Sequence, residues 1–451
     1  MQCGIKQKLK FVTSSMSGNA ENICRALLFI GFILKIIYAV QVSYNYSPHD
    51  LGTISADGSL VSYGHLSYIQ YLYLHRSIPD TYIWQFYQPL LFYIVGAIVL
   101  ALHHVTDNYM VAFESLQMLN MIFATIGVVY GYRILKKIGK NDWFLVIGTA
   151  FLSFCPAFYI IGAELNNDCL ATMFTIMALY YVLCWREQRD LCSILKIALC
   201  IGLGMLTKTN VALIAFSVGL LFLWTLIENR SEWKKYISQF FIFGVVCIPL
   251  GLCWNIYRLL RFELPLTYVM GMPDDSPQYI GNVSALIRLG FPSAKQLTSC
   301  SIDWNNPVEF SNIWGQTFLT MNYDEGILPL CGQFGNILGI LLLWISILLS
   351  VLLLIRLIRT LFISSADISL KLLFPVNFLI IYGNFIKFAF DFPHLCTMNF
   401  RYIVIVQVLL MGGAVIWHKN KSSKGLMDYG IGVCTVVQSI LATYLYLFFA
   451  V

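Results

Sequence analysis

The chain has 451 residues, of which 58% are hydrophobic and only 12% are charged. A soluble protein of this composition would expose too much apolar surface to water, so the composition excludes an ordinary soluble domain and predicts a polytopic membrane protein. The net charge of +6 does not indicate a nucleic-acid partner. The lysines and arginines stand in short clusters between apolar runs, as they do in cytoplasmic loops.

The N-terminal region is expected to remain on the protein. Residues 1–24 are basic and precede an apolar run from Leu27 to Val40 that has no small-residue cleavage site. We therefore predict a cytoplasmic N terminus and a retained first span rather than a signal peptide. The 13 cysteines form no CxxC pair and mostly lie inside apolar runs, so redox and zinc sites are not indicated.

Eleven apolar runs are predicted to cross the bilayer as helices, since a crossing needs about 17 to 25 residues. A twelfth apolar run, 87–104, would force the basic cluster Arg133–Lys140 and all later clusters outside. Because the positive-inside rule keeps such clusters inside, 87–104 is expected to lie along the outer interface or to re-enter. The predicted spans are 25–42, 111–133, 143–161, 165–185, 191–207, 211–228, 236–258, 333–357, 371–390, 398–417 and 427–450.

Two long segments are expected on the outer face. The first, 43–110, holds a helix around 60–76 and the interfacial helix 87–104, and the second, 259–332, follows the seventh span. Loops of this length in a compact protein usually carry function. No internal repeat is visible, so residues 1–451 are predicted to form one membrane domain, with spans two to seven in 111–258 and spans eight to eleven in 333–451.

Ionisable groups at span ends are candidates for function, because the bilayer disfavours them. Asp50 follows the first span in a Pro-His-Asp-Leu-Gly turn, and it is either a solvated turn residue or a catalytic carboxylate. Glu164 and Asp168 open the fourth span four residues apart. On one helix face they would repel unless a cation or donor lies between them. The alternative is an Asn cap with acids favoured by the helix dipole.

Four cations at the same boundary suggest a site for an anion. Lys208 lies in the outer hairpin after the fifth span, Arg258 and Arg261 end the seventh, and Arg401 begins the tenth. The guanidinium group of arginine can donate two hydrogen bonds to one phosphate. A snorkelling lysine is the alternative for Lys208, but a lysine held there for an anionic ligand is the favoured interpretation. The aromatic residues of 58–93 are explained by an interfacial belt, with stacking on a sugar ring as the weaker alternative.

Several short motifs follow one another along the chain, and their order resembles the GT-C superfamily of glycosyltransferases that use polyprenyl-phosphate sugars. The resemblance is to the branch containing bacterial relatives of protein O-mannosyltransferases and of the aminoarabinose transferase that modifies lipid A. It departs at Gln88, where the family often has His or Lys, and at His49, where a second acid is missing. The motifs are His49-Asp50-Leu51-Gly52, Gly64-His65-Leu66, Pro79, Phe86-Tyr87-Gln88-Pro89-Leu90, Asn166-Asn167-Asp168, Leu206-Thr207-Lys208 and Asn399-Phe400-Arg401-Tyr402.

The resemblance implies an all-α fold of the GT-C type, with about 11 transmembrane helices, outer juxtamembrane helices and a long outer loop after the seventh span. It also implies an inverting transfer of a sugar from a polyprenyl phosphate to an acceptor hydroxyl on a glycan, lipid or protein. The setting would be the outer face of a bacterial cytoplasmic membrane, among membrane lipids.

The resemblance assigns roles to residues of this chain. Asp50 would be the general base, and Lys208, Arg258 and Arg401 would hold the leaving phosphate. The segment 259–332, with Tyr268, Asp274, Asp275, Trp304, Trp314 and Asp324-Glu325, would cover the site, and Cys300 would be free to pair with Cys331. The resemblance fixes no cofactor and leaves a divalent ion, Mg²⁺ or Mn²⁺, open at Asp50 or Asp168. Sugar binding would fall to His49, His65, Tyr87, Gln88, Glu164, Asn167 and Asp168.

Two other classes of protein remain open from the sequence. A transporter or a flippase of lipid-linked glycans explains the spans equally well, but a carrier favours a site at the membrane midplane between repeats. A surface-polysaccharide polymerase would also carry a large outer loop.

Overall fold

A computed structural model describes residues 18–44, 62–106, 108–323, 332–363, 366–419 and 425–448. Within these ranges the chain is helical, and its one β contact is an isolated antiparallel bridge between Tyr279 and His394. The α-helices are α1 Gly18–Gln41, α2 His65–His75, α3 Leu91–Leu102, α4 Met110–Ile138, α5 Asp142–Ser153, α6 Pro156–Ala163, α7 Asp168–Gln188, α8 Leu191–Thr207, α9 Ala212–Glu228, α10 Trp233–Phe262, α11 Ala285–Leu289, α12 Ala294–Thr298, α13 Ile313–Tyr323, α14 Gly332–Leu361, α15 Ile368–Lys371, α16 Asn377–Asp391, α17 Val406–Lys419 and α18 Leu426–Phe448.

The protein is a multi-pass membrane protein. In the described part of the chain, nine helical stretches are long and apolar enough to cross a bilayer. A tenth is counted if the pair Leu395–Ile403 and Val406–His418, which bends by 49°, is one span. Helix α8, with 17 residues, is shorter than these stretches, so the total of eleven spans stays a prediction.

Three predicted spans are interrupted, and proline accounts for two of the breaks. The span 143–161 divides into α5 and α6 at Pro156, the first residue of α6, because proline has no N–H to continue the helix. In the span 371–390, Pro375 lies in the π-helical turn Leu372–Val376. The span 398–417 begins instead as the 3₁₀ turns Leu395–Met398 and Phe400–Ile403.

Polar contacts define two opposite ends of the helix bundle. At one end, called here the Lys137 end, the Lys137 ammonium lies 2.6 Å from the Glu187 carboxylate, joining the C-terminal turns of α4 and α7. At the other, called the Asp168 end, α7 begins, and the Asn120 amide of α4 donates to the Glu164 carbonyl oxygen over 2.7 Å. Helix α8 runs from the first end to the second beside α7 and α10.

Helices α2 and α3 lie at the Asp168 end. Helix α3 has 12 residues, about 18 Å at 1.5 Å per residue, which is too short to cross the bilayer. Its buried Phe92 and Tyr93 pack with Phe113 and Leu116 of the first turns of α4. This arrangement agrees with the expectation that 87–104 is not a span. Helix α2 begins at His65, later than the predicted start near residue 60.

Part of the segment 259–332 is buried, unlike a simple outer loop. Its helix α13 is almost wholly buried, and the Thr320 hydroxyl accepts a hydrogen bond from the Phe400 amide over 2.9 Å. Sequence hydropathy misses this helix because polar side chains line it, and they are satisfied inside the protein. Those buried polar residues include Gln316, Thr317, Thr320 and Asn322.

Candidate functional site at the Asp168 end

The structure brings most of the predicted site residues to the Asp168 end. Glu164, Asp168, Lys208 and Arg401 form one group, called here the charge cluster. Tyr87, Gln88 and Arg258 form a second group beside it, and Asn167 joins the two. His49 and Asp50, and with them the predicted general base, lie outside the described residues.

The loop between α6 and α7 positions the two acids. Glu164 follows the last residue of α6, and Asp168 is the first residue of α7. The prediction that they share one helix face is therefore wrong, because residues 164–167 leave the helical path. The Asn166 side chain holds this turn by accepting from the Asp168 amide over 2.9 Å and donating to the Glu164 carboxylate over 2.5 Å.

Two cations meet these two acids in the charge cluster. The Lys208 ammonium donates to Asp168 Oδ1 over 2.5 Å. The Arg401 guanidinium lies between the carboxylates, 3.7 Å from Asp168 Oδ2 and 4.0 Å from Glu164 Oε2. All four side chains are at most 13% exposed, so the pairing offsets the cost of burying each charge.

Lys208 follows the last residue of α8 and lies outside the membrane-crossing helices. Burial lowers the pKa of its ammonium group from the ordinary value, the Asp168 carboxylate raises it, and the nearby Arg401 lowers it further. The ammonium also lies 4.5 Å from the ring centre of Tyr402. A second negative group beside Lys208 would raise its pKa, so this lysine is suited to an additional anion.

Arg258 organises the second group. This residue is 1% exposed, and its Nη1 donates to the Tyr87 carbonyl oxygen over 3.0 Å. The rings of Tyr87 and Tyr268 lie 5.8 and 6.0 Å from the guanidinium carbon. Its Nε and Nη2 atoms have no hydrogen-bond partner among the described residues. Buried donors of this kind are costly unless a ligand or water satisfies them.

Asn167 links the two groups. Its side-chain amide donates to the Thr207 carbonyl over 2.9 Å and to Gln88 Oε1 at 3.3 Å. The Gln88 amide in turn donates to the Tyr87 hydroxyl over 2.8 Å. The neutral Gln88 therefore bridges neighbouring polar groups, and in this chain the position adds no charge to the site.

A cavity opens from the charge cluster toward the membrane interior. At one end it is lined by Asp168, Arg401 and Asn210. Its remaining lining is mainly apolar and comes from α7, α9, α16 and the start of the bent tenth span. The cavity is small, and its division between charged and apolar side chains suits the junction between an anionic group and a hydrocarbon chain. The apolar lining consists of Ala171, Val211, Leu213, Ile214, Ile381, Val404 and Ile405.

His65 contacts α3. It begins α2, and its Nδ1 lies 2.8 Å from the Tyr93 hydroxyl of α3. The two rings stack with a 10° angle between their planes. The contact ties α2 to α3, which fits a role in holding the juxtamembrane helices together.

The segment 259–332 reaches the site at two places. Tyr268 packs edge to face against Tyr87, and the backbone at 278–280 hydrogen-bonds with 393–395, close to the Arg401 turn. Asp274 and Asp275 are exposed, and the Trp314 indole donates to the Leu289 carbonyl over 2.8 Å, away from Arg258. Trp304 is a partly buried residue of the hydrophobic core.

Two other predictions fall partly on residues outside the described ranges. Asp324, Glu325 and Cys331 lie there, and the Cys300 thiol lies 3.6 Å from the Asn336 carbonyl oxygen. For a metal, the described residues contain no group of three or more His, Cys, Asp or Glu side chains. A divalent ion at Asp168 would have to displace Lys208 and Arg401 from its carboxylate oxygens, so this residue fits the role poorly.

Sequence reasoning missed Asn120 and Trp254. Asn120 is fully buried in α4 and supports the Glu164 loop, while the Trp254 indole donates to the Tyr87 carbonyl over 2.9 Å. An asparagine inside the apolar run 111–133 was a usable signal. Trp254 carried none, since tryptophan is common near membrane interfaces.

Residues 88–254 match the sequence model of a family described as dolichyl-phosphate-mannose-protein mannosyltransferase. The matched range includes Gln88, Asn167, Asp168 and Lys208, and it ends just before Arg258. No curated protein matches the chain significantly.

Solved structures that resemble the chain have low sequence identity. ArnT from Cupriavidus metallidurans bound to undecaprenyl phosphate is 12% identical, with 90% of this chain and 77% of ArnT covered and a TM-score of 0.36. Its apo form is 11% identical, with 92% and 77% covered and a TM-score of 0.39. The oligosaccharyltransferase AglB from Archaeoglobus fulgidus, in complex with an inhibitory peptide and a dolichol-phosphate, is 11% identical, and its TM-score is 0.42. The match covers 96% of this chain and 57% of AglB.

Proposed function

We propose that the protein is a polyprenyl-phosphate-dependent glycosyltransferase, because residues 88–254 match the sequence model of a family described as dolichyl-phosphate-mannose-protein mannosyltransferase. It transfers a sugar from the lipid-linked donor to an acceptor hydroxyl and inverts the anomeric carbon. The polyprenyl phosphate is the leaving group.

The observation that carries the proposal is the two-sided cavity at the Asp168 end. Asp168, Arg401 and Asn210 line one side, and the rest of the lining is mainly apolar, with the hydroxyls of Thr172 and Thr175 among the aliphatic side chains. A polyprenyl phosphate has the matching division, with an anionic head and a hydrocarbon tail. An apolar pocket with a few convergent polar groups is the usual form of a ligand site.

Arg258 is the strongest candidate for holding the leaving phosphate. Its Nε and Nη2 atoms have no hydrogen-bond partner among the described residues and are available, whereas Lys208 and Arg401 already contact Asp168. Negative charge grows on the phosphate oxygen as the glycosidic bond breaks, so fixed cationic donors stabilise the transition state more than the ground state. Lys208 and Arg401 would add to the positive field at the charged side of the cavity.

Asp50 is proposed as the general base that takes the proton of the acceptor hydroxyl. A positioned base contributes about 10² to 10⁴ in rate. Asn167 and Gln88 would present amide groups to the sugar, and Mg²⁺ or Mn²⁺ remains an option to be tested by addition and chelation. The Lys137 end carries the basic clusters, so the positive-inside rule makes the Asp168 end the outer face.

The test is sugar transfer by the purified full chain in nanodiscs, supplied with radiolabelled polyprenyl-phosphate sugars. Wild type should release polyprenyl phosphate, and Asp50→Asn should lose turnover while it still binds the donor. Asp80→Asn is the matched control, because Asp80 is an exposed aspartate of the same outer segment. No turnover with any donor contradicts the transferase proposal, and equal turnover by wild type and Asp50→Asn contradicts the assignment of the base.

A further inference from the structure

The segment formed by α11 and Phe291 has an unusual distribution of exposed side chains. Leu286 is 84% exposed, Ile287 is 56% exposed and Phe291 is 97% exposed. Three large apolar side chains within six residues form a patch that a water-facing loop would be expected to bury. Their exposure therefore needs a partner or an apolar solvent.

The charged residue of the same segment points the opposite way. Arg288 is 2% exposed, its Nη2 donates to the Ala389 carbonyl oxygen of α16 over 2.6 Å, and its guanidinium carbon lies 4.3 Å from the ring centre of Phe390. Polar side chains turned toward protein and apolar ones turned outward are the reverse of a soluble surface. This is the pattern of a surface in lipid.

Contacts with α16 set the depth of the segment. The Trp314 indole donates to the Leu289 carbonyl and stacks on Tyr382 with ring centres 5.7 Å apart. Tyr382 lies seven residues before Ala389 on α16, about 10 Å along the helix axis. Since α16 is part of the candidate span Ile368–Asp391, the contacts of Arg288 and Trp314 place this segment beside the last turns of that span.

The water boundary is marked on the same helix. Lys387 and Asp391 form an exposed ion pair in the last turn of α16, and Trp314 with Tyr382 lies below it, at the depth where aromatic belts form. Leu379 of α16, 60% exposed, continues the apolar outer surface of that span. The patch on α11 therefore lies beside a helix that also exposes apolar side chains, since Arg288 joins α11 to α16.

We propose that Leu286, Ile287 and Phe291 are immersed in the phospholipid of the leaflet at the Asp168 end. The partner is the acyl-chain region of the bilayer itself. The sequence predicts that the segment 259–332 is an outer loop. On this proposal, the part of the segment between its contact with His394 and its buried helix α13 enters the membrane at Leu286, Ile287 and Phe291.

The test places the photo-crosslinking residue benzoylphenylalanine at position 291 of the full chain, in nanodiscs of phosphatidylethanolamine and phosphatidylglycerol. Illumination should attach phospholipid to the peptide that contains residue 291. The same replacement at Leu286 is a second probe, and since both side chains are nearly fully exposed, neither change removes packing. The control site is Val308, 54% exposed and next to Glu309, which pairs with Lys295 over 2.8 Å.

We expect about tenfold more phospholipid adduct at 291 and 286 than at 308, because only the first two positions lie in acyl chains. Equal, low yields at all three positions would overturn the proposal. So would crosslinks between two copies of the chain in place of lipid adducts, since the patch would then be a protein interface. An adduct that appears only after polyprenyl phosphate is added would identify the donor tail, and would also overturn it.

Discussion

At Arg258, a buried guanidinium keeps its Nε and Nη2 atoms without a hydrogen-bond partner among the described residues. Replacing Arg258 with methionine removes those donors and keeps much of the side-chain volume. If they hold the leaving phosphate, kcat should fall by about 10² to 10³, the usual loss for one donor that acts in the transition state. Arg258→Lys should recover only part of the rate, because an ammonium group lacks the planar fork.

The matched control for Arg258 is Arg261→Met. Arg261 lies one turn later on α10, but it is exposed and pairs with the exposed Asp80 over 2.5 Å. Its loss should leave kcat within about twofold of wild type, since such surface pairs contribute little. Single-turnover rates of polyprenyl phosphate release measure both variants, and equal losses at the two positions would remove Arg258 from the mechanism.

Lys208 makes a prediction about pH. Burial lowers the pKa of its ammonium group, so as the pH rises the charge is lost earlier than on an exposed lysine, and transfer should decline on that alkaline side. Stability should change in the opposite direction. Between the lowered pKa of Lys208 in the folded protein and its ordinary pKa in the unfolded chain, the unfolded chain binds more protons than the folded chain. The free energy of unfolding therefore increases as the pH rises through this interval.

The comparison for Lys208 is between two arginine variants. Lys208→Arg should move the alkaline decline upward, because arginine stays charged over the accessible range. Lys295→Arg, at a lysine of the segment 259–332 that is 41% exposed, should leave the profile unchanged. The measurement is kcat/KM against pH, and an unshifted profile for Lys208→Arg would show that this ammonium is not the titrating group.

The charged residues of the site could be identified from the sequence, because an ionisable side chain at the end of a span is rare and usually functional. Their pairing was harder to infer. Lys208 and Asp168 are 40 residues apart, and Arg401 comes from the other end of the chain. The sequence around Asp168 does not indicate that its carboxylate contacts both Lys208 and Arg401, because that geometry depends on how distant helices pack.

Among the elements, the close contact of α14 with α17 depends on a glycine. A methyl group on Gly413 would lie 2.7 Å from the Leu357 backbone, which cannot move without moving α14. Gly413→Ala should therefore destabilise the protein by about 1 to 3 kcal/mol, as overpacking in a well-packed core does. A lower apparent melting temperature in detergent is the measurement.

Gly219→Ala in α9 is the control for this packing prediction. Its added methyl group would meet no atom within 4 Å, and alanine favours a helix over glycine by about 1 kcal/mol. The control variant should therefore melt at or above the wild-type temperature. If both variants melt alike, the separation of α14 and α17 is not limited by this glycine.

Helix boundaries show what hydropathy reports and what it does not. The predicted span 111–133 corresponds to the longer helix α4, Met110–Ile138. The helix extends past the apolar run because Lys136 and Lys137 are helical although they lie outside the membrane. Helix α13 was missed for the opposite reason. Its Asn322 looks like a loop residue, yet Asn322 Oδ1 accepts from the Ser346 hydroxyl of α14 over 2.9 Å. Polar groups satisfied by distant helices cannot be recognised from local sequence.

At the scale of the whole molecule, the charges divide between the two ends of the bundle. The Lys137 end holds cations that pair with single acids, such as Lys136 with Glu21 over 3.1 Å, together with the predicted cytoplasmic clusters. The Asp168 end holds the charge cluster and the described parts of both long segments. Because basic clusters stay on the cytoplasmic side, this division of charge predicts which end of the bundle faces the cytoplasm. The packing of the helices alone does not determine that orientation.

That orientation can be measured with one cysteine at each end. Asp274 and Lys140 are both exposed, at the Asp168 and Lys137 ends respectively. In intact bacterial cells a membrane-impermeant maleimide should label Asp274→Cys above the wild-type level, and should label Lys140→Cys only after lysis. The reverse pattern would turn the Asp168 end toward the cytoplasm. The donor sugar would then have to be supplied from the inner leaflet, and an outer-face transferase would no longer be compatible with where Arg258 and Lys208 lie.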